Sequence, residues 1–303
     1  MEDISVRAIC DLHISSKSVV FSRGKHTKKS RLLLAQYLPL GGANATIVGL
    51  LCAMGLWLFA PQTAVAQNPV QRDPQALTIL AQTITAGGGQ ELLASIQDFT
   101  ETGTITYYWA DQITGDVTIE GRGLHQFKVV ADLPKGRRIT VAGSEGGSLT
   151  EANGSVRSIP HQSAVGLGNL TLPCVLLSAA AQDPSMSVVY GGLVDHNGTQ
   201  AYDIRLQRVY DTKQKTEQGT KEARDFYIDH SSYMVTAVSD QVHSGASQGD
   251  GIPHEILYSN YQSKSGLMTP LTVTETVRGV TTATMNLSQI TFNSGLTSTE
   301  FTW

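Results

Sequence analysis

The chain has 303 residues, with 22 basic and 26 acidic side chains, a formal charge of −4 and three cysteines. The charge is uneven: residues 1–42 hold seven basic and three acidic side chains, which leaves the remainder near −8. That acidic balance argues against a nucleic-acid partner, whose binding depends on neutralising phosphates.

The first 66 residues read as a basic region followed by a signal peptide. No charge occurs from Leu32 to Gln71, and the apolar centre, Ile47 to Ala60, is 14 residues long. A membrane-spanning helix needs about 20 apolar residues, whereas a secretory apolar region needs about 7–15. Pro61 then breaks the helix, and Ala64-Val65-Ala66 supplies the small-x-small pattern of a cleavage site, so cleavage is expected after Ala66. The basic flank is long for a signal peptide, which implies an extended leading region or a translation start further downstream. An uncleaved anchor is the alternative; both orient the basic end towards the cytoplasm and export the rest. Membrane contact is expected only through this segment before cleavage. Cys52 follows Leu51, not a small residue, and does not read as a lipid-attachment site.

The expected mature part, 67–303, is long enough for one substantial core and short for two. Cys174 is its sole cysteine, so no internal disulfide can form. Its apolar setting, LPCVLL, reads as a small buried hydrophobe rather than a reactive thiol. Asp73-Pro74 predicts an N-cap with proline in the first turn. Leu77, Leu80, Ala81 and Ile84 then form one apolar stripe, and Gly87-Gly88-Gly89 ends the helix. A short second helix is expected over Gln90 to Ile96.

The period then changes to that of strands: Thr102 to Trp109, the alternation around Val117 and Ile119, Leu124 to Val130, and Arg137 to Ala142 after the turn LPKG. Ser148 to Glu151 reads as a turn, and Asn153-Gly154 as a hairpin. One helix, Leu172 to Gln182, interrupts the series before seven further strands between Met186 and Phe292, with a second hairpin turn at Asn197-Gly198. Asp211 to Glu222 reads as a solvated loop. Few helices, not alternating with strands, and turn signals roughly every 8–14 residues predict an α+β fold, mainly antiparallel β. The architecture is a curved sheet or incomplete β-barrel with a few helices packed on one side.

No catalytic constellation stands out. Gly245-Ala246-Ser247-Gln248-Gly249 matches G-x-S-x-G, but no helix follows it to form the strand-turn-helix that this chemistry needs. Six histidines follow residue 66, and none is spaced with another histidine or a cysteine as metal ligands are. His254-Glu255 begins like H-E-x-x-H, yet Tyr258 stands where the second histidine belongs. The histidines read as surface or turn residues. No phosphate-cradling loop is present, and no cofactor is expected. Tyr107 and Trp109 share one side of their strand. That side reads as ordinary sheet core, with a cavity lining as the alternative.

The order of elements resembles periplasmic lipoprotein-carrier-like domains, the outer-membrane lipoprotein-sorting fold. The likeness rests on Phe226-Tyr227-Ile228-Asp229, Tyr233-Met234-Val235, Tyr258 with Tyr261, Met268-Thr269-Pro270 and Ile290-Thr291-Phe292-Asn293. The chain also resembles uncharacterised exported bacterial proteins. The carrier resemblance implies an incomplete barrel with a helical lid over an apolar cavity that holds acyl chains. The lid would then be the apolar face of the first helix with Leu176, Leu177 and Ala180. The cavity lining would comprise Leu77, Leu80, Ile84, Tyr107, Trp109, Leu176 and Leu177. Carriers of the family use an arginine to gate the lid; Arg122, Arg137 and Arg138 are the candidates here. The function expected is an exported, periplasmic binding or carrier domain for a lipid or other apolar ligand, without catalysis. A structural or protein-interaction role in the cell envelope is the second reading, and a hydrolase the third.

Overall fold

A computed structural model describes residues 70–108, 111–143, 145–159, 171–208, 223–242 and 251–303. The export segment, Trp109, the Asp211–Glu222 stretch and Ser247 with its motif lie outside the described residues.

The described part begins with two helices, α1 (Pro74–Gly87) and α2 (Gln90–Ala94). The Asp73 carboxylate accepts a hydrogen bond from the Gln75 amide, meeting one of the donors a helix start leaves unpaired. Gly88 ends α1 at φ 130°, where its amide and that of Gly89 reach back to the last carbonyls. The buried face is Ala76, Ile79, Leu80, Thr83, Ile84 and Gly87. It is therefore rotated from the expected stripe: Leu77 is half-buried and Ala81 exposed.

Six strands follow: β1 (Asp98–Tyr107), β2 (Ile113–Arg122), β3 (Gln126–Leu133), β4 (Gly136–Gly143), β5 (Gly146–Thr150) and β6 (Val156–Ile159). The expected turn at Ser148 is strand β5 instead. Ser148 pairs with Val141 and Leu149 with Thr140, so cross-strand pairing overrides the weak strand preference of Gly and Ser. Helix α3 (Pro173–Gln182) comes next, then β7 (Met186–His196), β8 (Thr199–Arg208), β9 (Ala223–Asp229), β10 (Val235–Val242), β11 (Ile252–Lys264), β12 (Leu267–Val277) and β13 (Val280–Phe292). Asn197 and Gly198, at φ 54° and 79°, make the hairpin turn the sequence predicts.

All thirteen strands form one antiparallel sheet in the order β6-β5-β4-β3-β2-β1-β13-β12-β11-β10-β9-β8-β7. It consists of two meanders, β1–β6 and β7–β13, joined where the first strand pairs with the last. The sheet is curved and not closed. In a flat sheet β4 and β12 would lie about 24 Å apart, at about 4.8 Å per strand. Yet the charge of Arg138 on β4 acts on Glu275 of β12, and its guanidinium reaches the Tyr107 hydroxyl on β1 at 3.1 Å.

One apolar cluster lies between the helices and the sheet, with Phe127, Leu80, Leu177, Ile204, Phe226 and Ile228 essentially without solvent contact. The last turn, Ser298–Phe301, packs on β3 and β4. Trp303 stands against Gly143, where a β-carbon would come within 2.9 Å of its ring.

Candidate functional site

Alternation sets what points beneath the helices. On β1 the buried positions Phe99, Glu101, Ile105 and Tyr107 share a side. On β11 they are Ile252, His254, Ile256 and Tyr258. The face is apolar where the helices lie over it and charged around Tyr107.

The helical layer is fastened at one end, through Asn293, which bonds Ser95 and Gln97, to the end of β13, and at the other to β7. Residues 71–73 run parallel to that edge strand, with Val188 donating to the Gln71 carbonyl and Asp73 to the Val188 carbonyl. The Arg72 guanidinium donates to the carbonyls of Ala181, Asp183 and Met186 at 2.5, 2.7 and 3.2 Å. This cation thus caps the carboxy-terminal end of α3, where its charge complements the helix dipole. Helices α1 and α3 pack on each other and on β7, while α1 also reaches β12 and α2 packs on α3. Gly87 of α1 lies so near α3 that an added β-carbon would sit 3.1 Å from the Cys174 sulfur. Burial pushes the Cys174 thiol up to about 12, which keeps it an unreactive hydrophobe.

At the other end of the layer an open groove of about 410 Å³ is lined by Leu92, Ser95 and Ile96 beside α2, the β11–β12 turn, and Ile290 to Asn293. Deeper in, a cavity of only about 10 Å³ lies between α2, α3 and β12. Ile96 and Leu267 line both spaces and so form the wall between them.

The charged part carries a row of ion pairs. His254 contacts Asp240 through Nδ1 at 2.6 Å and Glu275 through Nε2 at 3.2 Å. Asp240 also faces Arg224 at 3.6 Å, and the Thr282 hydroxyl donates to Glu275. Burial alone would lower the His254 pKa, but the two carboxylates outweigh it and push it up to about 10. A histidine held protonated to that pH is no proton acceptor at neutrality. Burial works to raise the Glu275 pKa; His254, Thr282 and Arg138 together hold it below its ordinary value. Arg138 pairs with Glu151, which Arg157 also contacts.

The residues expected to line a cavity are thus partly gathered. Leu80, Ile84 and Leu177 meet in the core, with Leu77 and Leu176 half-buried against it. Tyr107 belongs to the same buried cluster, at its charged end under Arg138. Of the three candidate arginines, Arg122 and Arg137 bond exposed neighbours, Gln126 and Asp132, and only Arg138 is buried.

Two histidines depart from the expected surface role. His254 is buried between carboxylates, and His196 stacks on Tyr227 and pairs with Glu255 at 2.8 Å. Strand alternation was the available signal for His254, which shares its side with Ile252 and Ile256. The residue most clearly missed is Glu101. It is fully buried, and neither carboxyl oxygen has a hydrogen-bond partner. Burial pushes its pKa up to about 8, against the opposing effect of the nearby Thr171 hydroxyl. Among the described residues no group of three or more His, Cys, Asp or Glu side chains is placed to hold a metal ion.

No family model matches the chain, and no curated protein matches its sequence. Solved structures do resemble it in chain path. A Vibrio parahaemolyticus domain assigned to outer membrane lipoprotein sorting is 12% identical with a TM-score of 0.47, over 75% of this chain and 96% of that one. A LolA superfamily protein from Nitrosomonas europaea is 11% identical at 0.47, over 75% and 97%. A DUF1329 family protein from Desulfovibrio piger is 10% identical at 0.48, over 77% and 98%.

Proposed function

We propose that residues 67–303 form an exported binding or carrier domain for an apolar ligand such as a lipid, held between the helices and the sheet. The observation that carries this is the open groove, partly apolar, between the α2 end of the helical layer and the sheet. The layer is fixed to β7 by Arg72 and the paired 71–73 segment, and just beyond α2 Asn293 donates to the Ser95 carbonyl and accepts from the Gln97 amide; the open groove lies between these two bonds and the β11–β12 turn. Behind it, the apolar side chains of Leu93, Leu172 and Leu267 line the small inner cavity, so that parting α2 from β12 would extend the groove into the core. Ligand pockets of this kind are mostly apolar and lie between layers.

Location outside the cytoplasm is part of the same proposal and rests on the 14-residue apolar segment and the Ala64-Val65-Ala66 pattern. No helix of the described residues is long and apolar enough to cross a membrane. An exported protein with its amino terminus at Gln67 supports cleavage, while peptides from residues 1–42 in it would mean an uncleaved anchor.

A second reading, an envelope interaction protein with a packed core, is favoured by one observation: the inner cavity, about 10 Å³, holds one water at most. One experiment separates the two. The mature domain is weighed intact under native conditions after purification from the periplasm, then titrated with fluorescent fatty-acyl probes. A retained apolar ligand or saturable probe binding supports the carrier reading; a ligand-free mass with no probe binding overturns it.

A further inference from the structure

We infer that Glu101, Thr171 and Thr269 form a hydrogen-bonding anchor for the polar end of the ligand, and that this end is an uncharged group such as an amide. The inference rests on the apolar-ligand reading above and adds the chemistry of the head group.

Buried polar side chains in native proteins are nearly always hydrogen-bonded, so an exception needs a reason. Six buried side-chain atoms among the described residues have no protein partner. Five of them belong to four residues: Glu101 with both oxygens, Thr171 and Thr269, which form the proposed group, and Thr83 on α1. Their places are connected. The Thr171 hydroxyl is close enough to Glu101 to act on its ionisation. Thr171 directly precedes Leu172, which lines the inner cavity together with Thr269. On the sheet, Glu101 pairs with Ile119 and Ile290, and Ile290 lines the open groove. Thr269 itself, with the immediate neighbours of Thr171 and Glu101, therefore lines the groove or the space into which it would continue once Ile96 and Leu267 moved aside.

The charge state selects the ligand class. With its pKa raised by burial, Glu101 carries its proton at neutral pH and presents one donor and one acceptor. The threonine hydroxyls add one of each. No charged side chain contributes to the Glu101 shift. An anionic head would find no cation here, and a cationic one would have to build a buried ion pair at heavy desolvation cost. An amide, with donors and a carbonyl, matches the group without either penalty.

The test uses pyrene-labelled acyl chains of equal length that end in a primary amide, a carboxylate or a methyl group, titrated into the mature domain at pH 6.5. Wild type should bind the amide about tenfold tighter than the methyl-ended chain, the factor expected when a buried polar group gains or loses its partner. The carboxylate should bind no tighter than the methyl-ended chain. Glu101→Gln keeps a donor and an acceptor and should keep the amide preference. Glu101→Leu should abolish it while still binding the methyl-ended chain; thermal melting confirms that both variants fold. Equal preference in wild type and Glu101→Leu would overturn the anchor and leave the apolar-ligand reading standing. Failure of all three chains to bind wild type would overturn the apolar-ligand reading and the anchor with it.

Discussion

A carboxyl group buried without a partner makes folding depend on pH, with a sign that can be worked out. Glu101 ionises near pH 4.5 in the unfolded chain and near 8 in the fold. Between these values the folded state holds one proton more, so stability falls as pH rises. The contribution is fully present below pH 4.5, declines by about 1.4 kcal/mol per pH unit, and is exhausted above about pH 8. Glu101→Gln removes it. The difference in urea-unfolding free energy between wild type and Glu101→Gln should therefore shift steadily in favour of the variant from pH 5 to 8; a flat difference would mean that Glu101 ionises normally. His254 also loses its stabilising effect with rising pH, from its unfolded value of 6.5 through about 10. That dependence is common to both proteins and cancels in the comparison. His254→Ala leaves Asp240 and Glu275 facing each other's charge without the cation between them. A loss of about 3 kcal/mol is expected at pH 7, read from the urea midpoint. Both residues stand at inward positions of alternating strands, Phe99-x-Glu101 and Ile252-x-His254-x-Ile256. Neither burial is read correctly from the sequence: the expected strand begins at Thr102, one residue past Glu101, and His254 reads as a surface or turn residue although it alternates with Ile252 and Ile256. The partners of His254 are not legible either, because Asp240 and Glu275 arrive from other strands.

Among the elements, the helices were the most legible. The Asp73 cap, the proline that follows it, the glycine stop after α1 and the span of α3 follow the local sequence signals. The orientation of α1 was less so, because Leu77 and Ala76 differ by one residue and only packing against α3 decides between neighbouring stripes. What fixes the layer to the sheet was not legible at all. Arg72 lies in a segment that reads as a linker, and its three carbonyl acceptors are more than a hundred residues away. Arg72→Ala removes charged hydrogen bonds from the end of α3 and should cost about 2 kcal/mol. Amide exchange should rise in α1 and α3 before it rises in β12 or β13, since the fastening is local. If exchange rises uniformly instead, the helices open only by global unfolding and the picture of a layer fixed at β7 is wrong.

For the molecule as a whole, adjacent strands of a meander can be read in order from turn signals, and both meanders follow that order. The seam between them cannot be read so, because β1 and β13 are nearly two hundred residues apart and share no local signal. This seam makes one sheet out of two, and its long loop closure makes it a slow contact to form. Its register shifts at Thr102/Gly103. At Gly103 the chains approach so closely that a β-carbon would run into the Asn286 carbonyl oxygen. Gly103→Ala must therefore push β13 away, at an expected cost of about 2–3 kcal/mol typical of overpacking. The neighbouring exposed Thr104→Ala should change stability by less than about 0.5 kcal/mol. Urea unfolding checks this. A lower midpoint with an unchanged slope would place the damage in the folded seam. If the first-to-last pairing also forms in the transition state, refolding of Gly103→Ala slows in proportion to its lost stability; if the meanders fold first and join later, only unfolding speeds up. Equal stability of the two variants would mean that β1 and β13 do not meet in this register.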